Sequence, residues 1–321
     1  MRWSKQLMLT GLAALLLLSS CSSKDVLEPK QKRIALMMKM GENEYWKTLR
    51  MGAEAAAKEF NVSLTVSAPE REDDYQGQLA LLEDIFRTGT DALVLAPNDY
   101  EKLAGAVDRA VSLHVPVVTV DTEVDSAKVK SFVGINNVEA GRKAAQRLVE
   151  LTGPSAQLAV MSVEMGAKNI EEREQGLLAE LARYPQIQIV SKQNCGSDFK
   201  VCGELTSRLL ARQGSVGGIV ALNAVTSVGV AGAIERLGLA GQVKVVTFDS
   251  TQEELEWLQE GVIQATVVQN PFSMGYLGVK AAVDLLAGRK VPERTETATK
   301  VIDADNMFWA DNQKLLFPFV K

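Results

Sequence analysis

Residues 90–121 read TDALVLAPNDYEKLAGAVDRAVSLHVPVVTVD, and they set a pattern that the rest of the chain repeats. Both ends of this stretch are short and almost wholly apolar, which is typical of parallel β-strands covered by helices on both faces. The segment between them, Tyr100 to Leu113, has the apolar spacing of an amphipathic helix. The stretch therefore predicts a strand–helix–strand unit with strands over Ala92–Ala96 and Val115–Val120.

The same alternation extends in both directions along the chain. It predicts further strands over Ile34–Met38, Ser63–Ser67, Gln157–Val163, Ile187–Ser191, Gly218–Leu222, Val243–Phe248 and Ile263–Val268. It predicts further helices over Tyr45–Phe60, Asp74–Arg87, Glu139–Leu151, Ile170–Arg183, Val225–Leu237 and Met274–Ala287. Regular strand–helix alternation indicates α/β domains with parallel sheets. Two such series, over residues 34–135 and 157–268, suggest two similar halves.

The composition is that of an ordinary globular protein, with 46% hydrophobic and 23% charged residues. A chain of 321 residues can bury a large core and usually forms two domains. The formal net charge is −5, and the sequence contains no basic patch that could neutralise phosphate groups. These features argue against a nucleic-acid partner.

The N-terminus has the three parts of a secretory signal. Arg2 and Lys5 form a basic start, and an apolar run follows from Leu7 to Leu18. This run of about 12 residues is too short to span a bilayer, which needs roughly 20. It ends in Leu18-Ser19-Ser20-Cys21, which resembles the lipobox of bacterial lipoproteins, where lipid is attached to the cysteine.

We therefore expect a signal peptide over residues 1–20, palmitate or a similar lipid on Cys21, and a polar, lipid-anchored tether over residues 21–30. The protein would then face the outside of the cytoplasm, at the cell surface or in the periplasm. It would contact the membrane through this lipid anchor. The alternative is an ordinary signal peptide in which the cysteine occurs by chance.

Cys195 and Cys202 are the remaining cysteines. Two nearby cysteines in an oxidising compartment can form a disulfide, and Gly196 and Ser197 lie in a predicted turn that could bring them together. The alternative is a pair of reduced, partly buried thiols, and both interpretations stay open. No metal site is expected, because the only histidine, His114, is distant in sequence.

Several ordered segments resemble the periplasmic sugar-binding proteins of the ribose/galactose type, a group related to the effector domains of LacI-type repressors. The resemblance covers residues 33–303. Each segment alone is weak, but the family shares their order and spacing. The segments are Asn43-Glu44-Tyr45-Trp46, residues 90–97, residues 115–121, Asn137 with Gly141, Arg173 with Gly176, Asn223, residues 245–249 and residues 265–269.

The resemblance implies an α/β fold of two Rossmann-like lobes with parallel sheets, joined by a three-strand hinge, which is the type I periplasmic-binding-protein fold. The ligand would be enclosed between the lobes. The N-terminal lobe would hold residues 31–135 and 270–297, and the C-terminal lobe would hold residues 136–269 and 298–321.

The strand pattern points to the same cleft, since ligands of open α/β sheets bind beyond the carboxyl ends of the strands. Asp121, Asp249 and Gln269 each directly follow a predicted strand. Carboxylate and amide groups bind sugar hydroxyls, and aromatic rings pack on the C–H face of a sugar. The expected ligand-binding residues are Asn43, Tyr45, Trp46, Asp121, Thr122, Asn137, Glu171, Asn223, Asp249 and Gln269.

Other roles are open for some of these residues. Tyr45 or Trp46 could belong to the core, and Asp249 or Asn223 could cap the helix that follows it. The neighbouring pair Asp198-Phe199 matches a wall position of the family only with a one-residue gap.

Two positions depart from the ribose-type relatives. Thr122 stands where those relatives carry an arginine, and Glu171 matches a second pocket arginine, with Asn169 as a competing match. An arginine binds sugar hydroxyls through its fixed fork of donors. Losing both arginines predicts an acidic cleft, and hence a ligand that is not ribose itself but an amino-bearing or otherwise cationic polyol. The alternative is that Glu171 points to solvent.

The expected function is that of a monomeric solute-binding protein, without enzymatic activity or cofactor, which captures a monosaccharide or derivative by hinge closure and delivers it to an ABC permease. The sequence contains no Gly-x-Ser-x-Gly nucleophile motif and no phosphate-binding loop. The alternative is a sugar-sensing subunit that presents its ligand to a membrane sensor kinase or chemoreceptor. Both functions would use the same closure around the ligand.

Overall fold

The computed structural model describes residues 31–41, 43–163 and 166–317. The predicted signal peptide, Cys21 and the tether up to residue 30 lie outside the described residues. Within the described part of the chain, no helix is both long and apolar enough to cross a bilayer.

Strands and helices alternate along the described chain. The strands are β1 Arg33–Met37, β2 Ser63–Ser67, β3 Ala92–Leu95, β4 Val117–Val120, β5 Ser131–Gly134, β6 Gln157–Ser162, β7 Gln188–Asn194, β8 Val216–Ala221, β9 Lys244–Phe248, β10 Ala265–Val268, β11 Arg294–Glu296 and β12 Lys300–Ile302. The helices are α1 Glu44–Glu59, α2 Tyr75–Thr88, α3 Ala104–Ser112, α4 Asn137–Thr152, α5 Lys168–Leu181, α6 Phe199–Arg212, α7 Ala224–Arg236, α8 Gln252–Gln259, α9 Pro271–Leu286 and α10 Ala310–Leu316.

The strands form two six-stranded sheets, in the orders β11-β5-β4-β3-β1-β2 and β12-β10-β9-β8-β6-β7. The pairing of β10 with β12 is antiparallel, and the other described pairings are parallel. Five strands of each sheet follow the same order, so that β4 in the first sheet corresponds to β9 in the second. The predicted α/β fold with two similar, parallel halves is therefore confirmed.

The chain passes between the two sheets at three points. It leaves the first sheet after β5, and it returns after β10, because α9 packs on β3 and β4 with Gly278 against Val94 and Val120. It crosses again between β11 and β12. We call residues 31–135 and 270–297 lobe one, and residues 136–269 and 298–317 lobe two; these boundaries stay predictions.

Some elements are not predicted by the sequence patterns. The strands β5, β11 and β12 contain polar or small residues, so that they lack the apolar run that predicts the similarly short β3. The helices α6 and α10 are also missed, and α8 is expected only as a helix that Asp249 could cap. Within the 14 residues of α6 only Cys202, Gly203, Thr206 and Leu209 are buried, so that its apolar face is narrow. The helices α8 and α10 are short, with eight and seven residues.

The helices α1 and α9 pack unusually closely, and two glycines allow this contact. A Cβ atom at Gly52 would lie 1.9 Å from the carbonyl oxygen of Phe272, and one at Gly275 would lie 1.9 Å from the carbonyl oxygen of Leu49. Both distances are far inside van der Waals contact, and the obstructing atoms belong to backbone. The α1–α9 contact joins the first segment of lobe one to the segment that returns from lobe two.

We expect Gly52→Ala to lower the free energy of unfolding by about 1–3 kcal/mol, because the two helices must separate to accommodate the methyl group. Chemical denaturation of the full-length protein in detergent measures this change. Gly105→Ala is the matched control, since Gly105 is an exposed position of α3 with no atom within 4 Å of the added Cβ. It should be neutral or stabilising by up to about 1 kcal/mol, because alanine favours helix more than glycine. Equal effects of the two substitutions would contradict the close packing.

Candidate ligand-binding site

A cavity of about 90 Å³ lies at the carboxyl ends of the strands of both sheets. The residues that follow β1, β4, β8, β9 and β10 all contribute side chains to its wall. These side chains are Lys39, Asp121, Asn223, Asp249 and Gln269. Both lobes therefore build one enclosed, polar site.

Two buried aspartates occupy corresponding positions of the two lobes. Asp121 directly follows β4 with a φ of 64°, and Asp249 directly follows β9 with a φ of 77°. They are 3% and 6% exposed. Left-handed backbone is uncommon outside glycine, although aspartate and asparagine tolerate it better than most residues. Such strained positions often cluster at functional sites.

Asp121 is held by donors from several elements. Its Oδ1 accepts a hydrogen bond from the Tyr45 hydroxyl at 2.7 Å. Its Oδ2 accepts from the Thr122 hydroxyl at 2.7 Å and from Asn169 Nδ2 at 3.2 Å, and it lies 3.2 Å from Lys39 Nζ. The Lys39–Asp121 pair is almost fully buried.

The ionised form of Asp121 is stabilised by this surrounding. Burial alone would raise the pKa of Asp121, but the positive charges of Lys39 and Arg173 and the hydrogen bonds from Tyr45 and Thr122 bring it below its ordinary value. Burial and the charge of Asp121 raise the pKa of Tyr45 well above its ordinary value. The tyrosine therefore stays protonated and donates.

Asp249 has fewer donors. Its Oδ2 accepts from the backbone N–H of Ala224 at 3.0 Å, and its Oδ1 accepts from Gln269 Nε2 at 2.7 Å. Burial raises the pKa of Asp249, and the positive charge of Arg173 only partly offsets this. Asp249 does not cap α8, because the N-cap of that helix is Thr251.

Asn223 both lines the cavity and caps a helix. It is the N-cap of α7, where its Oδ1 accepts from the backbone N–H of Thr226 at 3.0 Å in a capping box. Its Nδ2 donates to Glu72 Oε2 at 3.1 Å. The two roles proposed for this residue are therefore compatible.

Tyr45 and Trp46 form the aromatic part of the wall. Their rings are 5.1 Å apart at 81°, and Trp46 is only 2% exposed. The indole Nε1 donates to Glu72 Oε1 at 2.6 Å. Trp46 packs in the hydrophobic core and also lines the cavity, so that core packing does not exclude its predicted contact with a ligand.

Arg173 lines the cavity although sequence reasoning did not include it among the ligand-binding residues. It is 1% exposed, its guanidinium lies 4.6 Å from the Phe248 ring, and its Nε and Nη1 donate to Asn137 Oδ1 and to the backbone oxygen of Leu222. Among the described residues its Nη2 has no hydrogen-bond partner, and neither does Gln269 Oε1. Asn98 Oδ1 and Ser197 Oγ, which also line the cavity, likewise have no partner among the described residues, so four polar groups of the wall are left for a ligand.

Lys39, Glu72 and Asn169 also line the cavity and were missed as site residues. The position of Lys39, shortly after a buried first strand, could have indicated it. Glu72 lies in the loop between β2 and α2, which has no such pattern. Asn169 was considered only as an alternative to Glu171.

Four of the expected residues do not line this cavity. Asn43 is the N-cap of α1, Thr122 donates to Asp121, and Asn137 accepts from Arg173. Glu171 is exposed on α5, whereas Asn169 contributes to the wall, so the structure favours the competing match. The neighbouring pair Asp198-Phe199, which matches the family only with a gap, also lies outside the wall. Asp198 caps α6, and Phe199 is 51% exposed.

The expectation of an acidic cleft stays a prediction. The wall of the cavity carries three cationic side chains and five carboxylates, so its formal charge is negative on balance. The cations are Lys39, Lys102 and Arg173, and the carboxylates are those of Glu72, Asp73, Asp99, Asp121 and Asp249.

A disulfide joins Cys195 to Cys202 in lobe two. It closes the turn between β7 and α6, and this turn carries Ser197 to the edge of the cavity. The backbone N–H of Ser197 donates to Asp73 Oδ2 of lobe one at 3.3 Å. The described residues include no group of histidine, cysteine, aspartate and glutamate that could hold a metal ion.

The chain is similar to known families of binding proteins. A family model described as "Periplasmic binding protein domain" matches residues 34–290. The D-allose-binding periplasmic protein of Escherichia coli is 28% identical over 279 residues, which cover 84% of this chain and 90% of that protein. The ribose import binding protein RbsB of Bacillus subtilis is 28% identical over 303 residues, which cover 90% of this chain and 95% of that protein.

Solved structures show the same similarity in three dimensions. A carbohydrate transporter solute-binding protein from Agrobacterium radiobacter, in complex with D-arabinose, has a TM-score of 0.87 and 28% identity, over 89% of this chain and 99% of that chain. An ABC transporter solute-binding protein from Agrobacterium vitis, bound with α-D-tagatopyranose, has a TM-score of 0.86 and 26% identity, over 89% of this chain and 99% of that chain.

We expect Lys39→Met to lower the free energy of unfolding at pH 7 by about 3 kcal/mol, because it leaves the buried Asp121 carboxylate without its partner charge. The depressed pKa of Asp121 contributes stability above the ordinary pKa of an aspartate, and this contribution is lost as the pH falls through the native value. Removing the charge of Lys39 raises the pKa of Asp121 in the folded protein, and this weakens the contribution of Asp121 to stability. Denaturant titrations from pH 3 to pH 7 measure both effects.

Adding Asp121→Asn to Lys39→Met should recover part of the loss, since a neutral amide needs no counter-charge and asparagine accepts the left-handed backbone. Lys290→Met, at an exposed lysine, is the control and should have little effect. A double variant less stable than Lys39→Met alone would contradict the importance of the ion pair.

Proposed function

Because this chain belongs to the periplasmic binding protein domain family, we propose that it captures a monosaccharide or a sugar derivative outside the cytoplasm and delivers it to an ABC importer. The proposal includes closure of lobe one and lobe two around the sugar. In the closed state the sugar would contact side chains of both lobes. A ligand shifts the equilibrium toward the state with which it makes more contacts, so the sugar would favour closure.

The observation that carries the proposal is the composition of the enclosed cavity. Carboxylate oxygens of Asp121 and Asp249, the amides of Asn223 and Gln269 and the rings of Tyr45 and Trp46 surround one small space. Sugar hydroxyls need adjacent donors and acceptors, and the C–H face of a sugar packs on an aromatic ring. The site offers both kinds of contact.

The free hydrogen-bonding groups fit the same ligand class. Arg173 Nη2 is a buried donor and Gln269 Oε1 a buried acceptor, and neither has a partner among the described residues. A buried polar group without a partner costs about 1–3 kcal/mol, so a ligand that satisfies both groups gains affinity. A hydroxyl can accept from the arginine, and another can donate to the glutamine.

The relatives support a small sugar as the ligand. Their names describe binding of ribose and allose, and the solved neighbours hold D-arabinose and tagatopyranose. At 26–28% identity these names suggest the ligand class and leave the particular sugar to be measured.

We also propose that lipid on Cys21 anchors the protein to the membrane, facing the outside of the cytoplasm. One acyl chain gives only marginal membrane binding, so stable anchoring needs more than one chain. The tether over residues 21–30 would then separate a monomeric body from the membrane surface.

The test of binding is a thermal-shift screen of the full-length protein in detergent against D-ribose, D-allose, D-arabinose, D-tagatose, polyols and amino sugars. A bound ligand raises the melting temperature by mass action, by an amount that grows with its concentration relative to Kd. At least one neutral pentose or hexose should give a concentration-dependent shift. No shift with any compound of the panel would contradict a sugar-binding function.

We expect Asp249→Asn to weaken binding of the sugar found in this screen by about 1–3 kcal/mol, because the amide replaces a charged acceptor of hydroxyl groups. Asparagine keeps the side-chain shape and accepts the φ of 77° at this position. Isothermal titration calorimetry measures the change. Asp305→Asn, at an exposed turn position, is the control and should bind like the wild type. Wild-type affinity in Asp249→Asn would remove this residue from the site.

A further inference from the structure

Glu72 connects three parts of the cavity wall. It follows β2 in the first sheet, and its carboxylate lines the cavity. One oxygen accepts from the indole of Trp46 at 2.6 Å, and the other accepts from Nδ2 of Asn223 at 3.1 Å. The proposed binding function uses the ring of Trp46 and the amide of Asn223 but gives Glu72 no role.

The two partners of Glu72 belong to different lobes. Trp46 lies on α1, which packs with the first sheet, whereas Asn223 follows β8 in the second sheet. The contact with Trp46 is therefore within lobe one and does not depend on closure. The contact with Asn223 bridges the lobes, so that moving the lobes apart would break it.

The carboxylate of Glu72 and the side chains of Trp46 and Asn223 are complementary as hydrogen-bond acceptor and donors. Both partners present N–H donors, and a carboxylate has two oxygens that can accept from them at the same time. Hydrogen bonds to an ionised acceptor are stronger than bonds between neutral groups. Burial raises the pKa of Glu72, while the charge of Lys39 and the indole hydrogen bond lower it. The two donors and Lys39 thus offset part of the cost of enclosing the carboxylate.

We propose that Glu72 is a positioning residue that fixes the Trp46 indole in lobe one and, on closure, receives the Asn223 amide from lobe two. It would align the aromatic wall before the sugar arrives and stabilise the closed cleft afterwards. This role rests on the proposed function, since it assigns Glu72 to the closure around a sugar.

A double-mutant cycle between Glu72→Ala and Asn223→Ser tests the bridge. Serine keeps the N-cap of α7 but lacks the amide that reaches Glu72. The cycle isolates the pairwise contact, because the burial cost of the carboxylate cancels between the two backgrounds. Glu72→Ala should weaken sugar binding about tenfold more in the wild-type background than in the N223S background.

The same cycle can be measured without a ligand. The bridge joins two side chains of the protein itself, so the equilibrium constant of unfolding of the full-length protein in detergent should show coupling of several-fold. If no sugar binds, the proposed function fails, but the unfolding measurement still shows whether Glu72 and Asn223 interact. Independent effects of the two substitutions in unfolding would overturn the proposal.

The contact with Trp46 has its own readout. In ¹⁵N-labelled full-length protein, the indole N–H resonance of Trp46 should lie downfield because it donates to a carboxylate, and Trp46→Phe assigns it. Glu72→Ala should move this resonance upfield, whereas Glu72→Gln should move it less, because the amide oxygen still accepts one hydrogen bond.

The matched control is Glu44→Gln. Glu44 also crosses between the lobes, where its side chain accepts from the backbone N–H of Gln252 at 2.7 Å, but this contact is exposed and does not line the cavity. The control should leave the Trp46 resonance in place. The role of Glu72 would be overturned if the indole resonance does not move in Glu72→Ala, or if it moves equally in Glu44→Gln.

Discussion

The ion pair between Lys39 and Asp121 is the interaction around which this site is built. The side chains are 4% and 3% exposed, and charges removed from water to this extent are costly unless each has a partner and satisfied hydrogen bonds. Asp121 receives donors from Tyr45, Thr122 and Asn169, so that its position depends on α1, β4 and α5 together. Asn169 belongs to lobe two and contacts both members of the ion pair, which therefore joins side chains of the two lobes.

Each lobe places a buried aspartate at the same position of its sheet, but the two aspartates have different hydrogen-bond partners. Asp121 and Asp249 directly follow the corresponding strands β4 and β9, and both have left-handed backbone. Lobe one gives its aspartate a cation and two hydroxyl donors, and Asn169 of lobe two adds an amide donor. Lobe two gives its aspartate the amide of Gln269 and the start of α7. Burial raises the pKa of both aspartates, but the charges of Lys39 and Arg173 and the hydrogen bonds bring the pKa of Asp121 below its ordinary value, whereas the pKa of Asp249 stays above it.

Two pairs of helices that carry site residues pack with their backbones in close contact. Gly52 and Gly275 let α1 approach α9, and Gly141 and Gly176 let α4 approach α5 in the same manner. In each pair a Cβ atom would meet a carbonyl oxygen of the opposite helix at 1.9 Å. These contacts hold the first turn of α1, with Tyr45 and Trp46, and the first turn of α5, with Asn169, at fixed distances from the cavity. Rigid elements of this kind make a site with positioned donors and acceptors feasible.

The sequence by itself determined the alternation of strands and helices, because apolar runs and amphipathic spacing are local properties of neighbouring residues. It also determined that Asp121, Asn223, Asp249 and Gln269 meet, since residues at the carboxyl ends of parallel strands share one edge. Only the tertiary structure placed Glu72 and Lys39 in the wall, chose Asn169 over Glu171, and turned Phe199 outward. These outcomes depend on loop paths, on helix rotation and on the pairing of buried charges across two lobes. Such contacts join residues more than 100 positions apart, as in Lys39 with Asn169, and no local pattern encodes them.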